Sequence, residues 1–413
     1  MSTTYVVDTN VLLHAPNVLD ALGDSRIVIP FAVVEELDNN KERHDAVGCN
    51  AREVIKRLDL LQTNGDLSVC IQTVAPSDID YMASYLCIDP HKADNQIIYT
   101  AIKEDATLLT NDLACRVKAR GMGVSAIPFS PQDKEVYSGY AEIDLPQYEI
   151  DAFYENKELM GFEDEGFTEN QFVLLRNECD NKHTALGRYT NGKIVALRYA
   201  KARPWDISPL NLEQTFLLEA LLDPKIKLVT ALGIAGTGKT LLSLAAGGQL
   251  TAEDREYNKL VYYKSAIGIG PDLGALPGDL DDKLRPFMES AYDAFEFILG
   301  SEERLLHFIE RDQIELSPLT FLRGRSLPKL YIVADEAQNI SPQQIKTLVS
   351  RAGEGTKVVL LGDQHQIDNR SLNKDYNGLV HVIDRFKGQK IYAHITMKKS
   401  ERSELSRLAA ELL

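Results

Sequence analysis

The sequence is poor in cysteine, and what it has follows no pattern. Cys49, Cys70, Cys87, Cys115 and Cys179 are five in number, scattered, and form no CxxC pair. That argues against a disulfide framework or a thiolate zinc site and leaves reduced thiols in a cytoplasmic protein as the expectation. Apolar runs long enough to cross a bilayer are missing, so no membrane partner is expected. The N-terminus lacks the basic, apolar and small-residue succession of a secretory signal. His14, His44 and His91 follow no metal-ligand spacing and read as packing or surface residues. Positive charge is also short: 45 Lys and Arg stand against 61 Asp and Glu, a net −16. A surface that grips nucleic acid everywhere is therefore not available. Split near residues 128 and 207, the charge is about −7, −6 and −3, which leaves room for local basic patches only in the last part.

What is present is an ordinary globular composition, 44% hydrophobic and 26% charged over 413 residues, long enough for two or three domains. The sequence shows no internal repeat and no low-complexity tract. Residues 1–128 alternate strand-like runs (Tyr5–Val7, Arg26–Ile29, Leu67–Gln72, Thr107–Leu109) with helical spacing such as that over Asn50–Leu61. This predicts a doubly wound α/β domain. Residues 129–207 begin as an acidic, irregular linker and become a small β-rich region. There Thr190-Asn191-Gly192 separates two alternating runs as a hairpin turn would. That region reads equally as a structural spacer or a nucleic-acid-binding element. Residues 208–413 return to the α/β rhythm, with strands at Lys227–Ala231, Leu260–Tyr263, Leu330–Ala334 and Lys357–Leu361.

Gly233-Ile-Ala-Gly236-Thr237-Gly238-Lys239-Thr240 matches GxxxxGK[ST] between a strand and a helix that starts near Leu241, the context a phosphate-binding loop requires. Its glycines let backbone N–H groups turn toward phosphate oxygens at a helix N-terminus. Lys239 is expected on the β- and γ-phosphates and Thr240 on Mg²⁺. About a hundred residues on, a buried strand ends in Asp335 and Glu336, one for Mg²⁺ and one to polarise the attacking water. Gln338 and Gln366 follow strand ends where an amide can meet a γ-phosphate or that water. Arg402 offers a charge-stabilising finger.

Four carboxylates stand near strand ends or helix starts in the first domain: Asp8, Glu36, Asp94 and Asp112. In an open parallel sheet such edges converge. An oxygen-only ligand set suits Mg²⁺ or Mn²⁺ and the hydrolysis of a phosphodiester.

The C-terminal part resembles the PhoH-like P-loop ATPases. Besides the loop it carries Leu273-Gly-Ala-Leu-Pro-Gly278-Asp279-Leu280, Phe321-Leu-Arg323-Gly324-Arg325-Ser326-Leu327, Asp335-Glu-Ala-Gln338-Asn339, Gly362-Asp363 with Gln366-Ile-Asp368, and Glu401-Arg402-Ser403. Lys264 and Asp272 depart from the residues usual in that family. The resemblance implies an ATP-hydrolysing enzyme with helicase-like motifs, linked to RNA and assembled as a homo-oligomeric ring such as a hexamer. It also implies an adenine-reading role for Gln214. Arg323 and Arg325 would contact nucleic acid, or else serve ATP across a subunit interface. Residues 1–128 resemble a PIN domain of the kind fused to such ATPases, through Asp8-Thr-Asn-Val-Leu-Leu-His14, Glu35-Glu-Leu-Asp38 and Asp94-Asn95. By that resemblance Asn10, Thr110 and Asn111 support the metal ligands, and single-stranded RNA is the substrate. The expected function is ATP-driven RNA movement or unwinding coupled to metal-dependent cleavage. Two other readings stand beside it, a PIN domain used for binding alone and a nucleotide-gated switch that docks a protein partner.

Overall fold

Unbroken runs of Val, Ile and Leu become parallel strands covered on both faces, as such runs require. The computed structural model describes residues 3–16, 18–23, 25–43, 46–63, 68–129, 136–163, 165–180, 182–265, 280–319, 328–369, 372–374 and 377–401. The chain divides into two compact units, Met1–Lys134 and Glu135–Leu413.

The first unit runs β1 (Thr4–Val7), α1 (Thr9–His14), α2 (Val18–Ala21), β2 (Arg26–Pro30), α3 (Phe31–Asn40), α4 (Ala46–Thr63), β3 (Val69–Gln72), α5 (Pro76–Ser84), α6 (Ala93–Lys103), β4 (Thr107–Leu109), α7 (Leu113–Gly121) and β5 (Ala126–Ile127). Its five strands are parallel in the order β3-β2-β1-β4-β5. Val6, Val7, Val28, Ile29 and Leu108 form the centre of its core. The chain builds β2 and β3 on one side of β1 and then β4 and β5 on the other. The reversal lies between β1 and β4, and a crevice outside the carboxyl ends at such a point is where open α/β sheets hold ligands.

The second unit contains two sheets. The smaller comprises β6 (Tyr140–Leu145), β7 (Glu158–Leu159), β8 (Phe172–Asn177), β9 (Thr184–Thr190) and β10 (Lys193–Ala196), with α8 (Gln147–Asn156) packed on it. Its order is β6-β8-β9-β10-β7. Asn191 and Gly192 turn the β9–β10 hairpin with φ of 49° and 83°, the left-handed pair that Asn-Gly predicts. The stretch 129–165, expected to be an irregular linker, instead contributes β6, α8 and β7. Its acidity hid an alternating strand. Ile143 and Leu145 pack on the small core, while Glu142 and Asp144 both pair with Arg176 of the neighbouring β8.

The larger sheet follows as α9 (Leu212–Leu222), β11 (Leu228–Gly233), α10 (Lys239–Gly248), β12 (Lys259–Lys264), α11 (Leu280–Leu299), α12 (Glu302–Glu310), β13 (Ile314–Pro318), β14 (Leu330–Asp335), α13 (Pro342–Val349), β15 (Lys357–Gly362), α14 (Gly378–Phe386) and β16 (Tyr392–Met397). Six parallel strands lie in the order β13-β12-β14-β15-β11-β16. β15 therefore separates the strand before the phosphate loop from the strand that ends in Asp335.

Helix α9 is apolar nearly all round, because it lies between the two sheets. Phe172 of β8 stacks on its Phe216 at 4.9 Å between ring centres. Glu219 of α9 accepts the Arg198 and Tyr199 backbone N–H groups, and Arg188 of β9 reaches Asp223 at 2.7 Å. Both members of that last pair are buried. The small sheet is thus fastened onto the larger one by a desolvated ion pair. Arg188→Ala would leave Asp223 buried without its guanidinium and is expected to cost about 3 kcal/mol, read from denaturant unfolding of the full chain. A loss under about 0.5 kcal/mol would show the pair to be dispensable.

Candidate sites at the carboxyl edges of the two parallel sheets

The phosphate loop leaves β11 at Gly233 and enters α10 at Lys239. Gly236 and Gly238 hold φ of 82° and 88°, conformations open to glycine, and Gly238 is the N-cap of α10. A side chain at Gly233 would strike the Met397 carbonyl at 2.4 Å, so the first glycine is dictated by the approach of β16. Lys239 Nζ donates to the Gly233 and Ile234 carbonyls at 2.6 and 2.9 Å, and buried Thr237 donates to Ile234. These bonds keep the ammonium inside the curve of the loop.

Thr240 donates to Asp335 Oδ2 at 2.9 Å, and Tyr262 of β12 donates to the same oxygen at 3.0 Å. Thr240 and Asp335 are thereby brought together from α10 and β14. Glu336 follows with φ of 55°, which turns it out of the strand line. Burial raises its carboxyl above the usual range, Asp335 adds to this, and Lys264 and Lys239 oppose it. Gln338 donates to Glu336 Oε2 at 2.6 Å and to the Gln366 carbonyl at 2.8 Å, and accepts the Asp363 N–H at 3.0 Å. Gln366 in turn donates to Asp363 Oδ2 at 3.0 Å.

Two amides expected at the nucleotide are engaged with protein groups in this structure. Gln338, expected to meet a γ-phosphate or the attacking water, is wholly buried and makes these three bonds. It steers Glu336 and joins β14 to the loop after β15. Gln214, expected to read adenine, is also buried: its Nε2 donates to the Thr237 carbonyl and its Oε1 accepts the Leu210 N–H. A run of sequence places an amide near a site but does not say which way it faces. Tyr262, Asp363 and Asn339 had no assigned role. Asn339 accepts the Asp368 N–H and donates toward the Gln366 carbonyl. Only its adjacency to Gln338 could have signalled this. Arg323, Arg325 and Arg402 lie outside the described residues, as does 273–279 of the Leu273–Leu280 motif.

In the first unit Asp8 ends β1 at the switch point. It is the N-cap residue of α1 yet makes no side-chain cap bond; its Oδ2 instead accepts Thr110 at 2.5 Å and Asn10 at 2.7 Å. Asn10 also bonds Thr110 and accepts the Asn111 N–H, tying the end of β4 to the start of α1. Asn111 accepts the Phe129 N–H. Thr9 donates to Glu36 of α3. Asp94, in the first turn of α6, pairs with Lys118 of α7 at 3.0 Å. Burial raises the Asp8 carboxyl, partly offset by the Thr110 bond, and the charges of Glu36 and Asp94 raise it further. No basic side chain pairs with Asp8 among the described residues. Glu36 and Asp94 thus stand near enough for their charges to act on Asp8. Asp112 is engaged differently: its Oδ1 accepts Ala114 N and Cys115 N as the cap of α7. Among the described residues, no three acidic, histidine or cysteine side chains are gathered closely enough to hold a metal ion. Asp8 alone, a buried carboxylate held by Thr110 and Asn10, is the kind of oxygen donor a hard divalent ion takes.

Comparison with known proteins agrees with both halves. The "PIN domain" family matches residues 5–130 and the "PhoH-like protein" family matches residues 206–412. A "Protein PhoH2" of Bacillus subtilis (strain 168) is 38% identical over the full length of both chains. Another, from Mycolicibacterium smegmatis, is 30% identical over 99% of this chain and 96% of its own. A "PhoH-like protein" of Bacillus subtilis is 41% identical over 34% of this chain and 44% of its own. Among the described residues, no helix is long and apolar enough to cross a membrane. With a PIN domain ahead of a PhoH-like domain, and relatives that share this arrangement from end to end, the protein belongs to the PIN–PhoH family.

Proposed function

We propose that the protein is an ATP-dependent RNA-processing enzyme, in which the PhoH-like unit hydrolyses ATP to move or unwind single-stranded RNA and the PIN unit cuts it. The observation that carries the reading is the bonded series Glu336–Gln338–Asp363–Gln366 beside the Thr240–Asp335 pair. Two carboxylates stand there at the carboxyl edge, one tied to the first turn of the phosphate-loop helix and one steered by a buried amide. Lys239 and the backbone N–H groups of the loop bind the phosphates. Thr240 and Asp335 would hold Mg²⁺, which when bound screens the phosphate charge. Glu336 polarises the attacking water and accepts its proton, a task suited to a carboxyl whose affinity for protons is raised by burial. In the PIN unit Asp8, Glu36 and Asp94 would hold Mg²⁺ or Mn²⁺, with Asn10 and Thr110 orienting Asp8. Such ions activate water for phosphodiester hydrolysis.

The deciding experiment measures ATP turnover with single-stranded RNA, single-stranded DNA or no nucleic acid in Mg²⁺, with RNA integrity read from the same tubes. RNA should stimulate turnover, cleavage should need ATP, and Lys239→Ala should abolish both. Turnover indifferent to every nucleic acid, with RNA left whole, would sink the coupled reading. One observation favours a second reading, a PIN unit that binds RNA without cutting it: Asp94 is paired with Lys118 and Asp112 is spent on a helix cap. RNA retained but uncut under ATP turnover would select it.

A further inference from the structure

The chain leaving β16 returns along the phosphate loop before the described residues end. Ser400 Oγ donates to the Ala235 carbonyl at 3.3 Å and the Glu401 N–H to the Gly236 carbonyl at 3.0 Å. Gln214 Nε2 takes the Thr237 carbonyl at 3.1 Å. Three consecutive loop carbonyls are thus held by donors from outside the loop. In a planar trans peptide the carbonyl and the following N–H point in opposite directions. Fixing the carbonyls of 235, 236 and 237 therefore fixes the N–H groups of Gly236, Thr237 and Gly238, each pointing away from the donor that holds its own peptide.

The returning segment is itself fastened to the start of α9. Buried Glu213 accepts the Lys398 N–H at 2.8 Å and the Lys399 N–H at 3.2 Å through one carboxylate oxygen. Asn211, the N-cap of α9, donates to Glu401 Oε1 at 2.8 Å, and Lys399 pairs with that same oxygen at 3.2 Å. Glu213 touches neither the phosphate loop nor, in the reading above, the nucleotide.

We propose that Glu213 is a positioning residue for nucleotide binding: it fastens residues 398–401 as a strap across the phosphate loop, and the strap presets the loop's N–H groups for the phosphates. This rests on the ATP-binding reading of the loop. It goes beyond that reading in assigning loop geometry to a carboxylate on another helix and to the chain segment immediately before Arg402. Bonds from backbone N–H to a buried carboxylate are among the stronger hydrogen bonds, so their loss should reach the loop.

The test uses the full chain and ATP with Mg²⁺. Glu213→Ala should raise the Kd and KM for ATP about tenfold with kcat within about threefold, because binding is preset by the strap while the water-polarising carboxylate is untouched. Glu213→Gln retains an acceptor oxygen and should lose only about threefold. Amide exchange at Lys398, Lys399 and Glu401 should quicken in Glu213→Ala, whereas a purely structural loss would quicken exchange across α9 as a whole. Faster exchange with an unchanged Kd would overturn the proposal. If Glu213→Ala does not fold, Ser400→Ala decides: about a twofold to threefold rise in Kd at unchanged Tm supports the strap, and no rise overturns it. A wild-type chain that binds ATP without hydrolysing it overturns the ATPase reading and leaves the affinity comparison standing. A chain that binds no ATP overturns both.

Discussion

Glu336→Gln is expected to slow ATP turnover about 10²- to 10³-fold while ATP affinity stays within a few fold. The substitution keeps the shape of the side chain and leaves an oxygen for the Gln338 amide to meet, so the steering bond survives. What it removes is the ability to accept a proton from the attacking water. The loop, Lys239 and the Thr240–Asp335 pair are untouched, which is why binding should persist. The variant should also unfold at a higher temperature than the wild type. A carboxylate held in a desolvated position is a cost that function requires, and an amide there relieves it. Phosphate release and nucleotide affinity, measured on the same preparation, check both parts. A kcat within threefold of wild type would remove Glu336 from the reaction.

Asp8→Asn is expected to abolish RNA cleavage, by about 100-fold or more, with ATP turnover unchanged. Groups that merely support a metal ligand cost 10- to 100-fold when lost, so a ligand should exceed that range. Asp8 is buried and receives the Thr110 and Asn10 donors on one oxygen. An asparagine there keeps an oxygen that can accept both donors but lacks the charge that would draw a divalent cation. Asn10→Ala, which frees Asp8 to reorient, should lose about tenfold by the same reasoning. Cleavage products resolved on a gel, with ATP turnover from the same tube, separate the two activities. Cleavage that survives Asp8→Asn at the wild-type rate would place the nuclease chemistry elsewhere or show that a contaminant performs it.

How much of this was legible without coordinates differs from element to element. The strands Thr107–Leu109 and Leu330–Asp335 were plain because an apolar run buried on both faces has few other fates. β16 was not. His394 and Thr396 interrupt its run with polar groups, which bond to each other, to Thr230 on the adjacent strand and to the Tyr137 carbonyl. β6 was hidden by its acids, whose partner Arg176 lies on a strand more than thirty residues on. Long-range pairing is invisible to a local pattern.

The sites divide the same way. The phosphate loop is legible because its residues lie in one short run of chain, Gly233 to Thr240, although Gly233 answers to Met397 and Thr240 to Asp335. Asp335 and Glu336 are legible because the strand's end fixes where they stand. The amides are different. Gln214 and Gln338 stand beside the site by sequence, yet packing turned each inward to brace backbone and neighbouring side chains. The four carboxylates of the PIN unit are legible as residues near strand ends and helix starts, but only the fold decided that Asp112 caps a helix while Asp8 does not cap its own. Nothing in the sequence near Glu213 pointed to residues 398 and 399, almost two hundred positions away.

By itself, then, the sequence determined the two α/β units, the phosphate loop and its acidic partner strand, since these follow from periodicity and from residue types fixed by local geometry. Tertiary structure alone decided which polar side chains face the crevices, how the small sheet is fastened to α9, and what holds the loop's peptides in place. Those outcomes depend on hydrogen bonds between segments far apart in the chain, and burial favours the orientations in which most such bonds are made.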